Sequence, residues 1–339
     1  MKTATPPTRQ RSRIVSSRIL PEKPKTPEIK ISNVLVPIDF SEPSLRAIEF
    51  ALPLVKRLGA ELHFVHVFEP DHPLAGMVAM PLIVPEPQVG QRVRRHLKDV
   101  AAKYSVSLRP QNIHAIKGRP FEEICRLARD LGIDLIVTST RGHTGMKHLL
   151  LGSTAERVVR YSPCPVLVVH PTQGNGKKVK RELRFGKIVV PIDFSECSLE
   201  GLEYAKALAK QFGSKLVLLH SVAIQYFVTS DEYARHDYPL LMQQCEKAAR
   251  DQMRDLIEKT DWDGIEVESS LQIGHAGEQI CARSKEKHAD LVITSTHGRT
   301  GLKHILLGST AEYVVRHASC PVLVVPSHER PVLNSKKEN

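Results

Sequence analysis

The chain contains itself twice. Residues 34–67, VLVPIDFSEPSLRAIEFALPLVKRLGAELHFVHV, recur at 188–221 as IVVPIDFSECSLEGLEYAKALAKQFGSKLVLLHS, with a constant offset of 154. Residues 134–169, DLIVTSTRGHTGMKHLLLGSTAERVVRYSPCPVLVV, recur at 290–325 with an offset of 156, identical at 26 of 36 positions. Only two residues of net length separate the copies, and repetition this close makes each one a folding unit. At 339 residues the chain is long for one core and comfortable for two.

Within each copy, short β-branched runs alternate with stretches of helical periodicity, the pattern of a parallel sheet covered on both faces. Copy one reads as strands near 34–38, 62–68, 112–117, 134–139 and 165–170. Helices are expected after the first strand, over about 91–104 and 120–131, and from about 153. Gly59 sits where it stops the first helix. Pro53 stands inside that helix, where copy two has Ala207, and is expected to bend or shorten it. Copy two repeats the order, with strands near 187–192, 215–221, 264–273, 290–295 and 321–325. The expectation is two tandem doubly wound α/β domains, each with a five-stranded parallel sheet. Their limits are 31–170 and 186–326, with a basic disordered tail over 1–30, a linker over 171–185 and a C-terminal tail over 327–339.

The formal charge of +11 invites a nucleic-acid reading, so its location matters. Residues 1–30 hold eight Lys and Arg against Glu22 and Glu28, and residues 171–187 hold six against Glu182. Those two segments carry the whole surplus, which favours solubilising tail and linker over a nucleic-acid surface. No apolar run approaches the roughly 18 residues of a membrane span. The first thirty residues lack the apolar stretch of a secretory signal. Six cysteines occur without a CxxC pair, so they read as reduced, mostly buried thiols in a cytoplasmic protein.

In open parallel sheets, ligands bind beyond the carboxyl ends of the strands. Two repeated sequences fall there. VPIDFS puts Asp39 and Asp193 just past the first strand of each copy. STRGHTGMKHLLLGST and STHGRTGLKHILLGST follow the fourth. Gly142, Gly145 and Gly152 let backbone approach an anion, and the turn at Gly152–Thr154 opens a helix whose free N–H groups favour phosphate. Ser153 and Thr154 add hydroxyls or a helix cap. Asp39 is placed to accept from a ribose hydroxyl or an exocyclic amine, so the set suits a nucleotide. A purely structural turn with a helix-capping serine is the competing reading. GxxxxGK[ST] is absent, which disfavours a P-loop ATPase. His148 and His304, with Lys147 and Lys303, read as an exposed polar face. His66 and His220 read as satisfied core or rim histidines rather than metal ligands. The loop 223–238, with Tyr226 and Tyr233, differs most between the copies.

These residues resemble the universal stress protein family, whose ATP-binding members carry Gly-x2-Gly-x9-Gly-Ser/Thr after the fourth strand. Copy one has Ser139-x2-Gly142-x9-Gly152-Ser153, and copy two Ser295-x2-Gly298-x9-Gly308-Ser309. Both depart from the motif at its first glycine. The resemblance implies that Asp39 and Val67 meet adenine, with Pro37 beside them, while Ser139, Arg141, Gly142, Gly152, Ser153 and Thr154 line ribose and phosphates. In copy two it implies Pro191, Asp193, Ser295, His297, Gly298, Gly308, Ser309 and Thr310. Ser221 replaces Val67 there, so the second site is expected to be the weaker.

The resemblance further implies ATP as ligand, with Mg2+ or Mn2+ on its phosphates, and pairing of the two copies through their last strands. A homodimer and unidentified protein partners are also compatible with it. The leading functional expectation is an ATP-binding, nucleotide-dependent regulator of a stress response with no catalytic residue assigned. A slow ATPase or nucleotide-cleaving enzyme on the same fold, and an empty scaffold or chaperone-like protein, stand as the alternatives.

Overall fold

The protein is described by a computed structural model covering residues 29–69, 86–140, 151–170, 185–222, 232–298 and 307–327. Nearly all of the expected N-terminal tail, linker and C-terminal tail therefore falls outside the described residues. So do Arg141, Gly142, Gly145, Lys147, His148, Tyr226, Lys303 and His304.

Copy one runs β1 (Asn33–Pro37), α1 (Glu42–Leu58), β2 (Glu61–Phe68), α2 (Glu86–Lys103), β3 (Ile113–Lys117), α3 (Pro120–Asp130), β4 (Leu135–Ser139), α4 (Ser153–Tyr161) and β5 (Val166–Val169). Copy two follows as β6 (Lys187–Pro191), α5 (Glu196–Phe212), β7 (Lys215–Val222), α6 (Glu232–Lys259), β8 (Val267–Ile273), α7 (Ala276–Glu286), β9 (Leu291–Ser295), α8 (Ser309–His317) and β10 (Val322–Val325). All ten strands form one sheet in the order β3-β2-β1-β4-β5-β10-β9-β6-β7-β8. Each half is parallel, and the halves meet at an antiparallel β5–β10 seam. The sequence expectation of doubly wound units paired through their last strands holds.

Alternation along the strands sends side chains to two cores. On one face Val34, Val36, Leu167 and Leu323 pack with α1, α2, α5 and α6 residues. On the other, Leu35, Val166, Val168, Val322 and Val324 pack with α3, α4, α7 and α8. Each core contains residues of both copies and so runs through the seam. There Val322 faces Val168, Leu323 faces Leu167 and Val324 faces Val166, none more than 2% exposed. Edge strands this apolar demand a partner, and each copy supplies it to the other. The His170 Nε2–H donates to the Val315 carbonyl across the seam at 2.8 Å. Glu156 accepts from Arg160 at 3.0 Å within α4 and pairs with Arg316 of α8 at 3.5 Å.

Local chemistry sets the helix ends alike in both copies. Ser41 caps α1 and Ser195 caps α5, each accepting from the amide three residues on. Gly59 and Gly213 close these helices at φ 65° and 67°, a conformation open to glycine without a Cβ clash. Of the two expected effects of Pro53, shortening does not occur: α1 and α5 both span 17 residues. One lost ladder bond is outweighed by burial of Ala51 and Leu54 on either side of the ring. α2 starts at Glu86, earlier than expected, because Pro87 lies in the first turn, where no intrahelical N–H is needed. α6 likewise takes up part of the loop expected at 223–238. β8 starts later than expected, because Ile265 N–H bonds to the Trp262 carbonyl and Asp263 and Gly264 turn the chain at positive φ. Among the described residues, no helix is long and apolar enough to cross a membrane.

Candidate functional site

The carboxyl ends of β1 and β6 are built by one device used twice. Beyond Pro37 the ladder continues for one bond, Ile38 N–H to the Val65 carbonyl at 2.8 Å, and then the chain turns at Phe40 with φ 62°. In copy two, Ile192 N–H bonds to Leu219 at 2.8 Å and Phe194 has φ 64°. A bulky residue at positive φ is strained, and such strain persists only where neighbours over-determine it. Here they do. The Asp39 Oδ1 accepts from the Ser41 amide at 3.0 Å and from its hydroxyl, and Asp193 does the same with Ser195. Beneath the turn, the His66 Nδ1–H donates to the Ile38 carbonyl at 2.6 Å, and His220 donates to Ile192 at 2.6 Å. The two imidazoles pack against Phe40 and Phe194 at 4.7 Å between ring centres. His66 and His220 thus hold the turn as hydrogen-bonded histidines, His220 within the core.

The loops after β4 and β9 are closed at their bases. Thr140 N–H bonds to Val169 at 3.2 Å, and the returning Gly152 N–H bonds back to the Thr140 carbonyl at 2.8 Å. The same pair recurs as Thr296 to Val325 at 3.0 Å and Gly308 to Thr296 at 2.8 Å. The return strand leads straight into α4 or α8, and Gly152 and Gly308 are the N-caps. Neither helix start has a side-chain cap, so Ser153 is the first helical residue and not the cap that the structural reading of the turn required. Among the described residues, the first-turn amides of both helices receive no cap side chain of the kind that α1 and α5 possess.

In copy two, the described part of the loop reaches the β6 turn. A Cβ on Gly298 would stand 2.6 Å from Asp193 Oδ2, so any side chain there must push that carboxylate aside. A Cβ on Gly308 would stand 3.3 Å from the Thr296 carbonyl oxygen and 3.9 Å from His297 Cα. The structure thus brings Asp193, His297, Gly298 and Gly308 into one group of adjoining turns, with Ser309 and Thr310 opening α8 and Pro191 ending β6.

Ser295, at the position of the motif's first glycine, donates its hydroxyl to the His297 carbonyl at 2.7 Å and so shapes the loop from inside. His297 Nδ1 lies 3.0 Å from Thr296 Oγ1 and 3.4 Å from Ser327 Oγ. The Ser221 hydroxyl donates to the Gly274 carbonyl at 2.8 Å, while Val67 of copy one packs on the second core. The copies therefore differ in chemistry at this position.

In copy one, Pro37 ends β1, Asp39 holds its turn, and Ser139 ends β4 in a buried position. Gly152, Ser153 and Thr154 form the uncapped helix start. Sequence reasoning missed Ser41 and Ser195, which lock the aspartates, and Phe40 and Phe194, which carry the strain. Their repetition in DFS of both copies was the available signal. It also missed Ser327, which has no counterpart in the repeat. Among the described residues, no group of three or more His, Cys, Asp or Glu is placed to hold a metal ion.

The sequence model of the Universal stress protein family matches residues 30–170 and again 184–326. A universal stress protein of Methanocaldococcus jannaschii is 32% identical over 141 residues, covering 42% of this chain and 82% of the relative. One of Mycobacterium tuberculosis is 26% identical over 301 residues, covering 86% of this chain and 95% of the relative. The crystal structure of a universal stress protein from Archaeoglobus fulgidus shares the fold with a TM-score of 0.59 and 24% identity, covering 88% of this chain and 97% of that one.

Proposed function

Since the chain belongs to the universal stress protein family, we propose that it is a tandem ATP-binding member that reports nucleotide state to protein partners in a stress response. The units are residues 31–170 and 186–326, joined by the linker 171–185. What carries this reading is the pair of helix starts at Gly152–Thr154 and Gly308–Thr310. Both meet the carboxyl end of the sheet and, among the described residues, carry no side-chain cap. Two polar helix ends left this way suit a phosphate chain.

The residues present fit a nucleotide. Glycine at 298 and 308 lets the loop pack directly against the Asp193 carboxylate and the Thr296 carbonyl, which draws that carboxylate and the start of α8 into one site. Asp39 and Asp193 face the base or ribose, and Val67 supplies apolar contact that Ser221 does not, so copy one is the tighter site. ATP binds with Mg2+ or Mn2+, held by its phosphates rather than by a protein ligand cluster. The six cysteines are free thiols, which suits a cytoplasmic protein.

Thermal denaturation with ATP, AMP and GTP tests the proposal. Ligand at a hundredfold excess over its Kd stabilises by about 2.7 kcal/mol, and roughly 2–4 °C per kcal/mol gives an upward shift of about 5–10 °C with ATP. No shift with any nucleotide would favour the empty scaffold instead. Phosphate release from ATP followed in parallel, and abolished by Gly152→Val together with Gly308→Val, would replace the binding role with an enzymatic one.

A further inference from the structure

The two copies differ on the outer face of the fourth helix, beside the helix starts described above. In copy one a cavity of about 520 Å3 lies along α4 and the start of α3, lined by Phe121, Ser153, Glu156, Arg157, Arg160 and Tyr161. That volume falls within the range of small-molecule sites, about 300–1,000 Å3. In copy two the corresponding residues are Gly277, Ser309, Glu312, Tyr313, Arg316 and His317. Tyr313 fills the equivalent space there: a Cβ on Gly277 would stand 2.7 Å from its ring. Tyr313 also stacks on His317 at 4.1 Å and meets His275 edge-on at 5.6 Å. A paired exchange, Gly with Tyr for Phe with Arg, separates a filled face from an open one.

The open face has a definite chemistry. Phe121 and Tyr161 lie 5.7 Å apart between ring centres and form an aromatic wall. The Arg157 guanidinium sits 5.0 Å over the Phe121 ring and makes no ion pair among the described residues. Arg160 is held by Glu156 at 3.0 Å, and its Nε is buried without a hydrogen-bond partner. Among the described lining residues Glu156 is the one carboxylate, and its charge is shared between Arg160 and Arg316. The lining therefore presents uncompensated positive charge beside two ring faces, with Ser153 at the start of α4.

We propose that this cavity of copy one is a second binding site, for a small planar anion: an aromatic ring carrying a phosphate or carboxylate. The ring lies against Phe121 and Tyr161, and the anion takes the free donors of Arg157, which its place over Phe121 orients. Ser153 borders both this cavity and the phosphate site proposed above, while Phe121, Arg157 and Tyr161 belong to this cavity alone.

The test is calorimetric titration of the full chain at low ionic strength with phenyl phosphate and benzoate, and with inorganic phosphate and phenol as the two halves. One whole probe is expected to bind at one equivalent, about tenfold or more tighter than either half, and equally well to ATP-saturated protein. Phe121→Gly with Arg157→Tyr, which installs the copy-two filling, is expected to lose about tenfold or more in affinity. Arg157→Ala, at an exposed position, is expected to lose a similar amount with an unchanged melting temperature. Absence of binding, displacement of the probe by ATP, affinity no better than that of the halves, or full retention in both variants would each overturn the proposal.

Discussion

Gly298→Ala is the substitution on which the site geometry makes its sharpest demand. The new Cβ would lie 2.6 Å from Asp193 Oδ2, well inside a normal carbon–oxygen contact. The carboxylate is not free to swing away, because its other oxygen holds the Ser195 amide at 3.0 Å and the Ser195 hydroxyl. Displacing it weakens charge-assisted hydrogen bonds worth about 1.5–3 kcal/mol each and loosens the turn that keeps Phe194 at φ 64°. Partial loss of one such bond gives an expected cost of about 1–2 kcal/mol, read as a fall in the urea midpoint at constant m-value. The cause is separable by a double-mutant cycle with Asp193→Ala. Once the carboxylate is gone the alanine methyl has room, so Gly298→Ala should cost less by about 1 kcal/mol or more in that background. An equal cost in both backgrounds would refute the clash as the reason for glycine.

The seam between the copies makes Leu323→Ala expensive, about 2–5 kcal/mol by chemical denaturation, because Leu323 is 2% exposed and faces Leu167; a cost below 1 kcal/mol would mean the seam is not packed as described. Burial beside His63 lowers the pKa of His114 from 6.5 to about 4, so the folded protein leaves it neutral where the unfolded chain takes up a proton. Stability from this group is therefore complete above about pH 6.5 and declines as pH falls towards 4, by about 2 kcal/mol after allowance for partial exposure. His114→Gln should flatten that part of the pH profile measured by urea denaturation. Burial pushes the Cys320 thiol up to about 12 and Cys281 to about 11, while Cys245 is exposed. A thiol reagent at pH 8 should modify Cys245 in the native protein and reach Cys320 and Cys281 only after denaturant is added.

The order of elements was legible because helices and strands alternate twice, and pairing through the last strands followed from their apolar edges and the family resemblance. Side-chain packing was not legible. Pro53 reads as a helix breaker, yet Ala51 and Leu54 bury on either side of it and α1 runs through. Pro87 hid the early start of α2 because sequence does not show which turn is first.

At the site, Asp39, Asp193 and the glycine turns were visible in the repeat. Their partners Ser41 and Ser195 were visible too, but the hydrogen bonds that fix the aspartates depend on a backbone bend at Phe40 and Phe194 that no propensity predicts. Ser153 illustrates the converse. Its residue type suits a cap, but Gly152 takes the cap position and leaves the amides open.

The central claim, that the two uncapped helix starts bind the phosphates of ATP, is tested most directly by isothermal titration of nucleotide-free protein with ATP and Mg2+. Gly152→Val and Gly308→Val, singly and together, are titrated beside it. The account predicts saturable binding with copy one the tighter site, loss of the tighter class in Gly152→Val, loss of the weaker class in Gly308→Val, and no binding in the double variant. Undiminished ATP binding by a folded double variant, or none by the unaltered protein, would contradict it.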